Sequence, residues 1–417
     1  MNTFFRHRPR TGSPARTAHG RPGTPLTAAL RTAVQCLLAL LATGLLLAGC
    51  GGGVGSGGTG SYASGAISGF GSIIVNEVRF DDSAASVLDD DDATRSNSEL
   101  KLGMTVEVEA GSIASDSSGR RASATRIRFG SELLGPVATV DTAGSRFTVL
   151  GQTVQVSAET VFDERLASGI DSLRAGNGVE VYALFDAASG VYRATRIEPR
   201  SPLLQWRVRG IVTALDNSAR TLRIGNAVFA WGSAGSVPAD LAVGRTVRLP
   251  LATTLDASGR YVVSSFATAL RPPPDRPEAE LNGLITGFSS AAAFSVNGLP
   301  VDASGASFPD GTAGLRLGTR VQVKGRAEAG SLIATSVSIE TEAQTQERGF
   351  DLRGALTAVD SSARTITLRG ETISTARPDL RLDGGGLADL SVGRQVEVKA
   401  QLNPSRTRLE AVRIVFK

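Results

Sequence analysis

The chain has 417 residues, with 44 Lys and Arg against 40 Asp and Glu, 48 glycines and few aromatic residues. By length alone it holds two to four ordinary domains, and with aromatics so scarce any core must be built mainly from Val, Ile and Leu. The formal charge of +4 resides in the first fifty residues, so the rest of the chain gives no support to a basic nucleic-acid-binding surface.

Those first fifty residues read as a targeting segment. Arg6, Arg8, Arg10, Arg16, Arg21 and Arg31 precede an apolar run from Cys36 to Leu47, and no acidic residue stands before Cys50. A basic region, a short apolar region and small residues at the end describe a secretory signal. The run is too short and too glycine-interrupted for a membrane span. It ends in Leu47-Ala48-Gly49-Cys50, which resembles the lipobox of bacterial lipoproteins. The resemblance implies a signal peptide over 1–49, cleavage before Cys50, and lipidation of Cys50 (by palmitate among other acyl chains) as a membrane tether. An uncleaved anchor or a plain signal peptide is the alternative. Gly51, where inner-membrane lipoproteins of Gram-negative bacteria carry Asp, points to the outer membrane.

Cleavage there changes the inventory. Six of the 44 basic residues and none of the acidic ones are lost, leaving a formal charge of −2. His7, His19 and Cys36 leave as well. The mature chain then has no histidine, and its only cysteine is Cys50, so no intrachain disulfide forms. Residues 50–62 are a flexible Gly/Ser-rich tether. Gly53, Gly55 and Gly58 satisfy G-x-G-x-x-G, but no strand precedes them and no helix follows, so the dinucleotide-binding reading fails.

The remainder is organised by a nine-residue pattern, L-x-x-G-x-x-V-x-V or a close variant. It runs from Leu100 to Val108, Leu173 to Val181, Leu241 to Leu249, Leu315 to Val323 and Leu390 to Val398. Its glycines, Gly103, Gly176, Gly244, Gly318 and Gly393, are 73, 68, 74 and 75 residues apart. A nearly constant step means a tandem array. Repeats are expected at 63–132, 133–200, 203–271, 280–341 and 349–417, with a Pro-rich linker at 272–279 and a second linker at 342–348.

Each repeat opens with a glycine and an alternating apolar strand: Gly65–Phe70, Gly135–Val140, Gly210–Leu215, Gly283–Phe288 and Gly354–Val359. Asp141, Asp216 and Asp360 follow directly and suit a turn, since the carboxylate can accept from backbone N–H groups just ahead. A second strand and a Gly or Asn-Gly turn come next, Asn297-Gly298 being a strong hairpin signal. In L-x-x-G the glycine is expected to supply a backbone conformation other residues avoid. V-x-V then starts a fourth strand with its valines inward and Glu107, Glu180, Arg248, Gln322 and Glu397 outward. A last strand, Ala124–Ile127 in the first repeat, completes the unit; the third repeat departs, with Tyr261–Phe266.

Five or six short strands in about 70 residues, without a long amphipathic helix, predict an all-β fold. The expectation is a tandem array of about five small OB-like or SH3-like β-barrels, and the linkers argue for partly independent beads. Taken together, the lipobox, the tether, the run from Gly65 to Phe80 and the repeated L-x-x-G-x-x-V-x-V are similar to Gram-negative envelope proteins carrying tandem copies of the domain-of-unknown-function 5666 family. That resemblance covers Gly65 to Lys417. It implies barrel-like repeats in a cell-envelope protein and brings no activity and no catalytic residues.

Candidate chemistry is sparse. Without histidine or a free thiol the common triads and most zinc sites are absent, and no G-x-S-x-G elbow occurs. No cofactor is expected. Asp89, Asp90, Asp91 and Asp92 are weak calcium candidates, but they miss the EF-hand pattern and read rather as a solvated acidic loop. Trp206, Trp231 and Tyr261 are weak candidates for a binding platform, against core filling. The sequence therefore points to a non-enzymatic envelope lipoprotein with a structural or binding role toward an envelope protein or glycan. Alternatives are an oligosaccharide or polyanion binder using OB-like faces, and a cell-wall hydrolase working through paired carboxylates.

Overall fold

Period-two alternation is realised as five strands per repeat, most plainly in the second. There they are Leu133–Asp141, Arg146–Val149, Gln152–Phe162, Gly178–Asp186 and Val191–Pro199. The first pairs with the second and the fourth, the second with the third, the third runs parallel to the fifth, and the fifth pairs with the fourth. The order first–second–third–fifth–fourth therefore closes back on the first, which is the OB-type barrel rather than the SH3-type. Inward residues such as Val137, Phe147, Val154, Val179, Val181 and Ile197 are buried.

This is a computed structural model, which describes residues 59–117, 119–232 and 236–417. The same pairing order recurs in the other four repeats. The third uses Trp206–Asp216, Thr221–Ile224, Ala227–Ala230, Thr246–Leu255 and Tyr261–Val263. In the fourth the strands are Arg276–Ser290, Ala293–Val296, Leu299–Asp302, Arg320–Glu328 and Ser331–Ile339. The first and fifth break their opening strand in two, at Ser61–Ala66 with Gly69–Phe70 and at Phe350–Ala355 with Ala358–Asp360. The first repeat adds a hairpin, Ser86–Asp89 with Thr94–Arg95, whose turn holds the acidic run.

The signature glycine closes each barrel. All five have positive φ, between +77° and +88°, a region L-residues with a Cβ avoid. In every repeat the glycine N–H donates, at 2.8 Å, to one buried residue of the opening strand: Ile67, Val137, Val212, Ile285 or Leu356. Turn chemistry also follows the residues. Asp216 accepts from Ser218 and Ala219, and Asp360 from Ser362 and Ala363. Asn297 and Gly298 both have positive φ.

The barrels are not beads. Ser61–Ser64 pairs in parallel with Glu278–Leu281, joining repeats 1 and 4. Gly69–Phe70 pairs with Asp351–Leu352, joining 1 and 5, and Leu133–Leu134 pairs with Arg207–Val208, joining 2 and 3. Two continuous sheets result, one through repeats 1, 4 and 5 and one through 2 and 3. Open edges of the barrels are thereby used up against each other. The expected linkers are structured too: the fourth repeat's first strand already begins at Arg276, and 342–348 is a short helix, Glu342–Arg348, capped reciprocally by Thr341 and Gln344.

Candidate functional site

The outward positions of V-x-V do leave their own barrel, but several meet another barrel instead of water. Arg248 is 1% exposed and Glu180 and Gln322 are buried. Glu180 accepts from Arg200 at 2.6 Å and from Arg207 of the next repeat at 3.1 Å. At Glu180 and Arg248 this outward position thus reads a different neighbouring repeat.

The acidic run is exposed at Asp91 and Asp92, as expected of a solvated loop, but all four carboxylates are also ion-paired. Asp89 pairs with Arg95 at 2.6 Å within its hairpin. Asp90 is bound to Arg209 and Asp91 to Arg248. Asp92 meets Arg128 at 2.6 Å and Arg271 at 3.0 Å. Three of the four carboxylates therefore clamp the first repeat onto the third. A calcium ion would have to displace these arginines, and no group of three carboxylates positioned for a metal occurs among the described residues. Burial pulls the Arg209 guanidinium down, but Glu132 and Asp90 more than offset it and hold it above its ordinary range.

Trp206, Trp231 and Tyr261 all serve the third barrel. Trp231 is buried and meets Phe266 edge-on at 6.3 Å. Tyr261 stacks on Phe229 at 5.2 Å, with Trp206 edge-on at 6.2 Å. Trp231 fills the core, while Trp206 and Tyr261 pack half-buried against it. Cys50 lies outside the described residues.

What sequence reasoning missed is the junction of repeats 1, 2, 4 and 5. A cavity of about 360 Å³ opens there. Arg79 comes from repeat 1, Glu159 and Thr195 from repeat 2, Arg320 from repeat 4, and Asp351 and Lys399 from repeat 5. A second cavity of about 470 Å³ shares the wall formed by Glu159, Thr195, Arg320 and Glu340. Arg320 binds Glu159 and lies 3.5 Å from Glu340. Glu340 also accepts from Arg348, at 2.6 Å, at the end of the connecting helix. No local signal marks this site, because its members lie far apart in sequence.

Comparison with known proteins accounts for four of the five repeats. No curated protein matches the sequence. Among solved structures, Drosophila Unr CSD456 is similar at 15% identity over 50% of this chain and 97% of that one, with a TM-score of 0.13, too slight a likeness to bear on fold or ligand. The family model described as domain of unknown function (DUF5666) matches residues 64–128, 135–198, 282–338 and 353–415, and the third barrel, outside those segments, keeps the same pairing order and glycine contact. These segments cover more than half of the chain, which therefore belongs to the DUF5666 family as a tandem array of its domains.

Proposed function

We propose that the protein is a non-enzymatic, lipid-anchored component of a Gram-negative cell envelope, in which five welded barrels act as one binding block. The observation that carries this reading is the cavity whose wall needs four repeats at once. Such a site exists only when the barrels are assembled, which gives the strand pairing between repeats a purpose beyond stability. The lipobox and the Gly/Ser tether supply the anchor and the reach from an outer-membrane surface.

Two rival readings fit less well. Oligosaccharide or single-strand binding through OB-like faces relies on aromatic rings for stacking. The outward residues of the second and third strands are instead Arg146, Thr148, Thr221, Arg223, Thr365 and Thr367 and others like them, with no ring among them. A hydrolase needs two carboxyls free to act. Glu159 and Glu340 do converge, but on Arg320, which engages both.

The test has two parts. Metabolic labelling with palmitate should mark the wild-type protein in the envelope fraction, and Cys50→Ser should abolish the label. Native mass spectrometry of protein extracted from its own envelope should find a bound component. Turnover of cell-wall fragments by the purified chain would overturn the reading.

A further inference from the structure

The polar groups around the 360 Å³ cavity do not balance. Arg320, Glu340 and Arg348 are matched with one another, and Arg320 also takes one oxygen of Glu159. Four groups remain. Arg79 has no ion pair among the described residues, and its Nη1 is buried with no hydrogen-bond partner. Thr195 is 6% exposed, and its Oγ1 is likewise without a partner. The second oxygen of Glu159, Oε1, is buried and unpartnered although Oε2 is bound to Arg320. Asp351, half-buried, and Lys399, exposed, are cross-strand neighbours on the fifth barrel that line the same cavity, with neither in an ion pair among the described residues. Buried polar groups in folded proteins nearly always find partners, and those that do not call for an explanation.

Their chemistry is complementary to one kind of molecule. Arg79 needs an anion, and the exposed Lys399 adds positive charge beside it. The Thr195 hydroxyl can donate to it. Glu159 Oε1 needs a donor, and Asp351 offers a further acceptor. Ile74 and Phe350 add an apolar wall, and a few polar groups set in an apolar lining is how small-molecule sites are built. Resting on the reading above, we propose that the cavity binds a small carboxylate that also carries hydrogen-bond donors, the chemistry shared by amino acids or peptide ends and by sugar acids. The ligand carboxylate lies against Arg79, whose planar fork suits it, with Thr195 donating and Lys399 adding charge. Its amino or hydroxyl groups face Glu159 and Asp351. Repeat 1 supplies the anion receptor, repeat 2 the hydroxyl and one acceptor, and repeat 5 the other, so the ligand would touch three barrels.

Calorimetric titration of the detergent-solubilised full-length protein tests this. The probes are L-alanine, the dipeptide Ala-Ala, glucuronate and gluconate, each beside its methyl ester. At least one acid is expected to bind, and its ester to bind far more weakly. Arg79→Gln should weaken binding by about tenfold or more, as loss of a charge-assisted contact does. Thr195→Val, nearly isosteric, should weaken it by about fivefold with an unchanged circular dichroism spectrum, which covers the case in which Arg79→Gln fails to fold. The amino-acid and sugar-acid arms decide between the two sources. The proposal is overturned if no acid binds the folded wild-type protein, or if both variants bind as the wild type does. The broader reading fails separately, when native mass spectrometry of envelope-extracted protein finds nothing bound.

Discussion

The backbone N–H of Gly103 donates to the carbonyl of Ile67 at 2.8 Å, while the N–H of Ile67 donates to Met104, next to that glycine, at 2.9 Å. This reciprocal pair recurs in all five barrels, at Val137, Val212, Ile285 and Leu356. It ties the turn before the fourth strand to the opening strand, and it works only where the turn residue tolerates positive φ.

Substitution of these glycines should therefore cost stability in a graded way. At Gly393 a Cβ meets open space, so Gly393→Ala carries the φ penalty alone, about 1–2 kcal/mol. At Gly103 the Cβ would also run into the Thr195 carbonyl of the second barrel. Gly103→Ala should thus lower the urea midpoint further than Gly393→Ala does.

The clamp between the acidic run and the third barrel is a second point of sensitivity. The side chains of Asp90 and Arg209 are only 11% and 15% exposed. Asp90→Asn leaves a buried guanidinium short of its partner and should cost roughly 3–5 kcal/mol. Pairing it with Arg209→Met should not recover that loss, because Glu132, 3.2 Å from Arg209, would lose its own partner. Asp379→Asn, which breaks the surface pair with Arg377, should barely move the midpoint. Because the four aspartates are engaged by arginines, millimolar calcium should leave the melting temperature unchanged.

Glu107 sets a pH dependence. Burial, reinforced by the nearby negative charge of Asp90 and partly offset by Arg209, raises its carboxyl from 4.5 to about 7. The folded state thus holds the proton more tightly than the unfolded chain. This contribution is fully present below about pH 4.5, is lost as pH rises toward 7, and changes little above that. Glu107→Gln should flatten the profile between those values and stabilise the protein at pH 8 by up to roughly 3 kcal/mol. Denaturant unfolding across pH 5–8 measures both effects.

One position of the signature separates fold from assembly. Leu102, before Gly103, is 0% exposed, whereas Val392 and Val243, at the matching place in repeats 5 and 3, are 69% and 61% exposed. The Leu102 carbonyl also accepts from Arg196 of the second barrel at 3.0 Å. Leu102→Ala should cost about 2–5 kcal/mol, and Val392→Ala less than about 0.5 kcal/mol, by chemical denaturation.

Much of each barrel was legible in the sequence because what forms it is local. Alternating Val and Ile residues mark strands, Asp216 and Asp360 mark turns, and Gly103 and its four counterparts mark the one backbone conformation the closure requires. Each signal acts over a few residues, so a linear pattern carries it. What the outward side chains meet was decided only by the tertiary structure. Glu107, Arg248 and Glu397 stand at the same place in their repeats, yet Arg248 is sealed against Asp91 while Glu397 pairs with Arg353 and Lys417 at its own barrel's surface. Asp90 and Arg209 are 119 residues apart, and Arg79, Thr195 and Lys399 belong to three different barrels. Which barrel docks on which depends on strand edges and charges that fit only once the barrels exist. The repeat pattern thus determined five barrels and how each one closes, and their packing determined the clamp and the cavity.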